Sequence, residues 1–217
     1  MKIFLIPGLG YDYQIFEKLN FKNHDVSHIE WIEPKIAEPI KAYAIRLFEN
    51  LPQNEEKITL IGHSFGGVVA QEIAAVKKID KIILIASVKS QNEIPLSFKL
   101  IKYLKLHRFL TKKLSIHTLK YWGKTHGFKT HEDQELFKSM IRKTSNHYLQ
   151  WALKTLVGWT TPKLLSATKL IQIHGTRDKT FPLRRIQKPN IIVEKGSHIM
   201  LYKRPEEMNA ILTGLLK

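Results

Sequence analysis

Apolar residues along this chain fall mostly into short, nearly continuous runs: Ile3–Ile6, Val26–Ile32, Ile58–Ile61, Ile82–Ala86, Leu170–Ile173 and Ile191–Val193. A strand covered on both faces needs apolar side chains at odd and even positions alike, so such runs predict strands of a parallel sheet. Helix-like segments occupy 36–49 and 65–76 between the runs, and 205–216 after the last. The alternation predicts an α/β fold with a mostly parallel sheet of about six strands flanked by helices. The rhythm breaks after Ser87. Roughly eighty residues precede the next run at Leu170, far more than the ~2–6 residues of an ordinary α/β loop. Residues 91–165 are therefore expected to be a helical insertion after the fourth strand, with 1–90 and 166–217 forming the core domain.

At 217 residues, 43% of them hydrophobic, the chain can bury one α/β core but is short for two independent domains. It contains no cysteine. That excludes disulfides, Cys-ligated zinc and a thiol nucleophile, and leaves nucleophilic chemistry to Ser, Thr, Lys or a carboxylate. It also suits the cytoplasm. The first apolar run is too short for a signal peptide and meets Pro7-Gly8 at once. No stretch approaches the ~18 apolar residues of a membrane span, so a soluble protein is expected.

Three polar turns that follow strands carry candidate chemistry. Gly62-His63-Ser64-Phe65-Gly66-Gly67 is a G-x-S-x-G between a predicted strand and a predicted helix. A nucleophile on such a turn needs small neighbours, because strand and helix cross closely there, and Gly62 and Gly66 supply them. Taken alone, the pattern also suits a glycine-rich connection. Asp178 lies in the polar turn His174–Thr180 after the fifth strand, flanked by Arg177 and Lys179, with which a turn aspartate can simply pair. His198 follows the last strand in Glu194-Lys195-Gly196-Ser197-His198. A hydroxyl nucleophile needs an imidazole to take its proton and a carboxylate to orient that imidazole. Ser64, His198 and Asp178 can fill these roles, each at the end of a strand where α/β sheets gather their ligands.

Two other motifs are rejected. Gly8-Leu9-Gly10 would need its third dinucleotide-binding glycine at Tyr13, and His131-Glu132-Asp133 lacks the second histidine of a zinc-protease helix and reads as a polar helix start. No metal or organic cofactor is expected.

The chain order Ser64, Asp178, His198 and the elbow around Ser64 resemble the α/β-hydrolase superfamily. The resemblance spans nearly the whole chain and implies that the first two strands of the standard fold are missing, that 91–165 is a cap, and that the sheet is a reduced version. It also implies that Pro7-Gly8-Leu9-Gly10 is the counterpart of the family's His-Gly-x-Gly segment. The backbone N–H groups of Leu9 and Phe65 would then form an oxyanion hole, with Pro7 in place of the usual histidine. The activity implied is hydrolysis of a carboxylic ester or thioester through an acyl-enzyme on Ser64. Alternatives are use of the same triad as a base for carbon–carbon cleavage or elimination, and a catalytically weak ligand-binding member of the fold.

Charge changes this picture in one respect. Of the formal +16, about +10 lies in 91–165, which holds 14 Lys and Arg against 4 Asp and Glu, together with ten of the 21 aromatic residues. Leu96–Leu119 interleaves apolar residues with six cations, among them Lys102, Lys105 and Arg108, as one cationic amphipathic helix would. Two partners suit such a charge: an anionic small-molecule acyl substrate such as a coenzyme A thioester, and peripheral contact with an anionic membrane. A third expectation is a cap helix with a solvated lysine face. Nucleic acid is disfavoured because no recognition motif accompanies the charge. Oligomeric state is open.

Overall fold

The computed structural model describes residues 1–22, 24–49, 57–165 and 167–217. Six strands form one sheet: β1 (Lys2–Ile6), β2 (Asp25–His28), β3 (Ile58–His63), β4 (Lys81–Ile85), β5 (Lys169–Gly175) and β6 (Ile191–Val193), in the spatial order β2-β1-β3-β4-β5-β6. Every pairing is parallel. All residues of β1 and β3 are buried, which is why their apolar runs are unbroken. The register lines up Leu5, Ile61, Ile83 and Ile171 across four strands as one aliphatic row through the core. The chain steps outward from β1 to β2, then returns to β3 on the other side of β1. The resulting switch point places the loops after β1 and β3 beside one another at the C-terminal edge, where open α/β sheets form their ligand crevice.

Helix α1 (Ile40–Glu49) and helix α2 (Phe65–Ala74) flank this sheet, and α2 is buried along its whole length. Between β4 and β5 run four helices: α3 (Leu96–Tyr103), α4 (Lys112–His126), α5 (His131–Arg142) and α6 (Asn146–Gly158). The chain closes with α7 (Met200–Lys203) and α8 (Pro205–Leu215). His131 does open a helix, with Thr130 and Asp133 forming a reciprocal capping box. Among the described residues, no helix is long and apolar enough to cross a membrane.

Several boundaries differ from the sequence reading. The second strand stops at His28 rather than continuing to Ile32, because the next residues turn over the sheet edge: the Trp31 indole donates to the Gly8 carbonyl and the Tyr43 hydroxyl to that of Ile32. Helix α1 begins at Ile40 rather than Ile36, since Ala37 is left-handed (φ +55°) and Pro39 disfavours helix in the residue before it. His174 belongs to β5 and not to the turn after it.

The largest correction concerns Leu96–Leu119, which is not one helix but α3, a short 3-10 helix (Leu106–Phe109) and the start of α4. Lys105 adopts a left-handed conformation (φ +54°), and Thr111 caps a fresh helix by accepting from the Leu114 N–H. Nor does this stretch simply turn an apolar face inward. Phe98 packs on Phe181, but Leu96, Leu100, Tyr103 and Phe109 are exposed.

Candidate active site

Ser64 joins β3 to α2 with φ +52° and ψ −121°, a sparsely populated conformation of the kind that costs a non-glycine residue about 1–3 kcal/mol. Three hydrogen bonds hold it there. Its N–H donates to the Ile85 carbonyl (3.0 Å), and its carbonyl accepts from the Gly67 N–H (3.0 Å) and the Ser87 hydroxyl (2.6 Å). The glycines around it are required by space: a Cβ on Gly62 would lie 2.5 Å from the Gly67 Cα, and one on Gly66 would run into the carbonyl oxygens of Ile6 and Pro7.

Three side chains that are 134 and 20 residues apart in sequence meet at this turn. His198 Nδ1 lies 2.9 Å from Asp178 Oδ2, and His198 Nε2 lies 2.9 Å from Ser64 Oγ. A carboxylate only accepts, so Nδ1 carries the proton and Nε2 presents a lone pair to the serine hydroxyl. Asp178 does not pair with Arg177 or Lys179. Its Oδ1 accepts from the Thr180 and Phe181 N–H groups, at 2.8 and 3.0 Å. Burial works against its charge, but His198, His174 and the Phe181 N–H outweigh that and hold the carboxyl below its ordinary range.

Two tight backbone contacts fix the turns carrying the acid and the imidazole. The Arg177 N–H donates to the Gly196 carbonyl at 2.8 Å. Gly175 packs against the same peptide so closely that a Cβ there would collide with it.

Other histidines surround this trio. His63 Nε2–H donates to the carbonyl of His198 at 2.9 Å. Its ring is fully buried, and burial, followed by the neighbouring His198, pushes its pKa down to about 3. His63 is therefore neutral at any ordinary pH. His174 Nε2–H donates to the Phe181 carbonyl (2.7 Å), closing the loop that carries Asp178, and burial lowers its pKa as well. His126, from α4, sets its ring edge-on to His198 at 6.3 Å.

The loop after β1 closes over the serine. A Cβ at Gly8 would lie 3.1 Å from the Ser64 Cβ and 2.6 Å from the Tyr11 ring, so the glycine allows direct contact between loop and elbow. Tyr11 stacks near His63 (5.4 Å) and meets Phe128 and Phe137 from the helical segment. Among the described residues, neither the Leu9 nor the Phe65 N–H has a hydrogen-bond acceptor. Ser64 and His198 are 6% and 3% exposed, so both residues are almost entirely enclosed by protein. No group of three or more His, Asp or Glu side chains among the described residues is placed to hold a metal.

The sequence reading overlooked His63, Ser87, Trp31 and Tyr11. Of these only His63 lay in a motif already singled out, and nothing local announces its reach to residue 198.

Solved structures similar to this one over essentially its whole length include esterases. A carboxylesterase structure from the ammonia-oxidizing thaumarchaeon Nitrososphaera gargenis is 24% identical, with 100% of this chain and 89% of that one covered and a TM-score of 0.75. An esterase from Exiguobacterium antarcticum is 16% identical (99% and 91% covered, TM-score 0.71), and MenH from S. aureus is 17% identical (100% and 93%, TM-score 0.72). At these identities the likeness shows the fold. Among curated proteins, no sequence matches the chain. The sequence pattern of the alpha/beta hydrolase family matches residues 3–211, and the chain belongs to that family.

Proposed function

We propose that this protein is a serine hydrolase that cleaves a carboxylic ester or thioester through an acyl-enzyme. The observation that carries the reading is the pair of 2.9 Å contacts linking Ser64 Oγ, His198 and Asp178. As Ser64 Oγ attacks the carbonyl carbon, His198 Nε2 takes its proton, and Asp178 stabilises the imidazolium that forms. The leaving alcohol or thiol departs with that proton. Water then attacks the acyl-Ser64 ester, giving a proton to His198 that returns to Ser64 as the acid is released.

The negative oxygen of each tetrahedral intermediate would be met by the N–H groups of Leu9 and Phe65, whose lack of a protein acceptor supports the role. One such donor is typically worth ~2.7–4 kcal/mol of barrier. Pro7 in place of a histidine does not remove backbone donors, and the Trp31 indole on the Gly8 carbonyl holds the loop.

In this reading, residues 1–90 and 166–217 are the catalytic core and 91–165 the cap. The cap brings Phe98 and His126 to the neighbourhood of the triad. Beside the proposed oxyanion loop lies a cleft of about 190 Å³ with mixed walls, Pro7, Tyr11, Trp31 and Met140 facing Asp12, Glu30 and Lys143. The cysteine-free composition fits a reducing compartment such as the cytoplasm.

Stopped-flow hydrolysis of nitrophenyl esters of graded chain length tests the proposal. A burst of nitrophenol equal to the enzyme concentration, absent in Ser64→Ala, is expected for an acyl-enzyme. A triad that serves only as a base for elimination or carbon–carbon cleavage would give no burst.

A further inference from the structure

Arg177 and Lys179 flank Asp178 yet leave it to His198, and both side chains are exposed. They turn instead into a pocket of about 490 Å³ on the outer side of the same turns. Four elements build it: the end of α4 and the chain leading to α5, the turn after β5, the turn after β6, and α7 with the residue that follows it. Seven of its ten lining residues are Lys or Arg and none is acidic. In the chain as a whole Lys and Arg number 35 of 217, about one in six, so general basicity does not account for this concentration.

Acidic partners cover little of it. Lys203 binds Asp133 at 2.7 Å and Arg204 binds Glu207 at 2.6 Å. The side-chain cations of Lys124, Lys129, Arg177, Lys179 and Lys195 have no acidic partner among the described residues, although the Lys129 backbone N–H donates to Asp133 Oδ2 at 2.9 Å. The nearest acid in the β6 turn, Glu194, faces the Thr176 hydroxyl. Bringing five unpaired cations to one concavity raises the self-repulsion of the folded state, which an anion bound there would relieve. The arrangement is also fixed. Gly127 packs so closely on the β6 turn that a Cβ there would lie 2.6 Å from Ser197 Oγ, which ties the segment carrying Lys124 and Lys129 to the turn carrying His198.

We propose that this pocket binds the phosphate groups of a soluble, multiply phosphorylated small molecule beside the Asp178–His198 pair. A single carboxylate would neutralise one of the five cations. A phosphate or diphosphate carries two or more charges and offers several oxygens at once, which a guanidinium and converging ammonium groups can share. The volume lies within the ~300–1,000 Å³ of small-molecule sites and so accommodates more than a lone ion. The pocket is formed without Ser64, so its occupancy is independent of the acyl-enzyme reading.

Titration calorimetry with sodium pyrophosphate, on the wild-type protein at about 0.15 M salt where diffuse surface charge is screened, tests the site. We expect saturable binding at one site per chain, weakened at least tenfold in Lys124→Ala/Lys129→Ala. The pair Lys154→Ala/Lys163→Ala removes the same charge outside the pocket and should change affinity less than twofold. No saturable binding, or equal losses in the two pairs, would overturn the proposal. Phosphatidylcholine vesicles containing phosphatidic acid form the second arm. Vesicle binding that is lost in Lys124→Ala/Lys129→Ala, without any binding of pyrophosphate, would assign the phosphate to a lipid headgroup and overturn the soluble ligand.

Discussion

His63 Nε2 lies 2.9 Å from the carbonyl oxygen of His198, so the residue before Ser64 fastens the backbone of the imidazole that faces the serine hydroxyl. Removing the ring would leave a buried carbonyl unpaired, at a cost of about 1–3 kcal/mol, and free the His198 backbone to move. Displacements of about 1 Å are enough to slow catalysis by ~100-fold. His63→Ala should therefore lower kcat at least tenfold with KM changed less than threefold, and His63→Gln, which keeps an N–H donor, should recover part of the loss. Steady-state kinetics beside thermal unfolding separate this positioning effect from simple destabilisation.

Asp178 has a different job in the proposed mechanism, since it sets which imidazole nitrogen carries the proton. Asp178→Asn keeps the shape but supplies an amide that can donate to Nδ1 and so favour the wrong tautomer. A kcat loss on the order of 10³–10⁴ is expected, with an unchanged far-ultraviolet spectrum. A loss under tenfold would remove Asp178 from the mechanism.

The buried histidines make stability depend on pH in a definite direction. His63 titrates near 3 in the folded protein and near 6.5 when unfolded. Between those values the unfolded chain binds a proton that the native one refuses. Its contribution is therefore complete above pH ~6.5 and falls as pH drops through the window, by up to about 1.4 kcal/mol per pH unit. His174 is shifted the same way. The depressed Asp178 carboxyl adds acid sensitivity of the same sign in a lower window, its contribution being lost as pH falls below its unfolded value near 3.9. Urea midpoints should thus fall from pH 7 to 5.5, and less steeply in His63→Asn than in the wild type; equal slopes would contradict the account.

Gly175 and Gly214 give a contrast in packing. A Cβ at Gly175 meets the backbone of Gly196, which cannot move without parting the turns of Asp178 and His198, whereas one at Gly214 meets nothing within 4 Å. Gly175→Ala is expected to destabilise by ~1–3 kcal/mol or more and to lose activity. Gly214→Ala, within α8, should be neutral or stabilising by up to about 1 kcal/mol. Melting temperatures of the two variants provide the check.

The sheet was legible because burial on both faces leaves a mark at every position, as in Ile3–Ile6 and Ile82–Ile85. The three turns of the candidate site were legible because each directly follows such a strand. The helical segment was less so: the break at Lys105 rests on a left-handed lysine, with neither glycine nor proline to announce it. Contacts that tie distant segments left no local trace. Trp31 on Gly8 and His63 on His198 join residues 23 and 135 positions apart, and the basic pocket gathers lysines and arginines from four elements whose meeting depends on the packed fold.

The central claim is that Ser64 is a nucleophile activated by His198. Intact-mass analysis after exposure to a fluorophosphonate probe tests it most directly, on the wild type, Ser64→Ala and His198→Ala. The account predicts one adduct on the wild-type chain and none on either variant. Labelling that persists in folded Ser64→Ala, or labelling of His198→Ala at the wild-type rate, would contradict it.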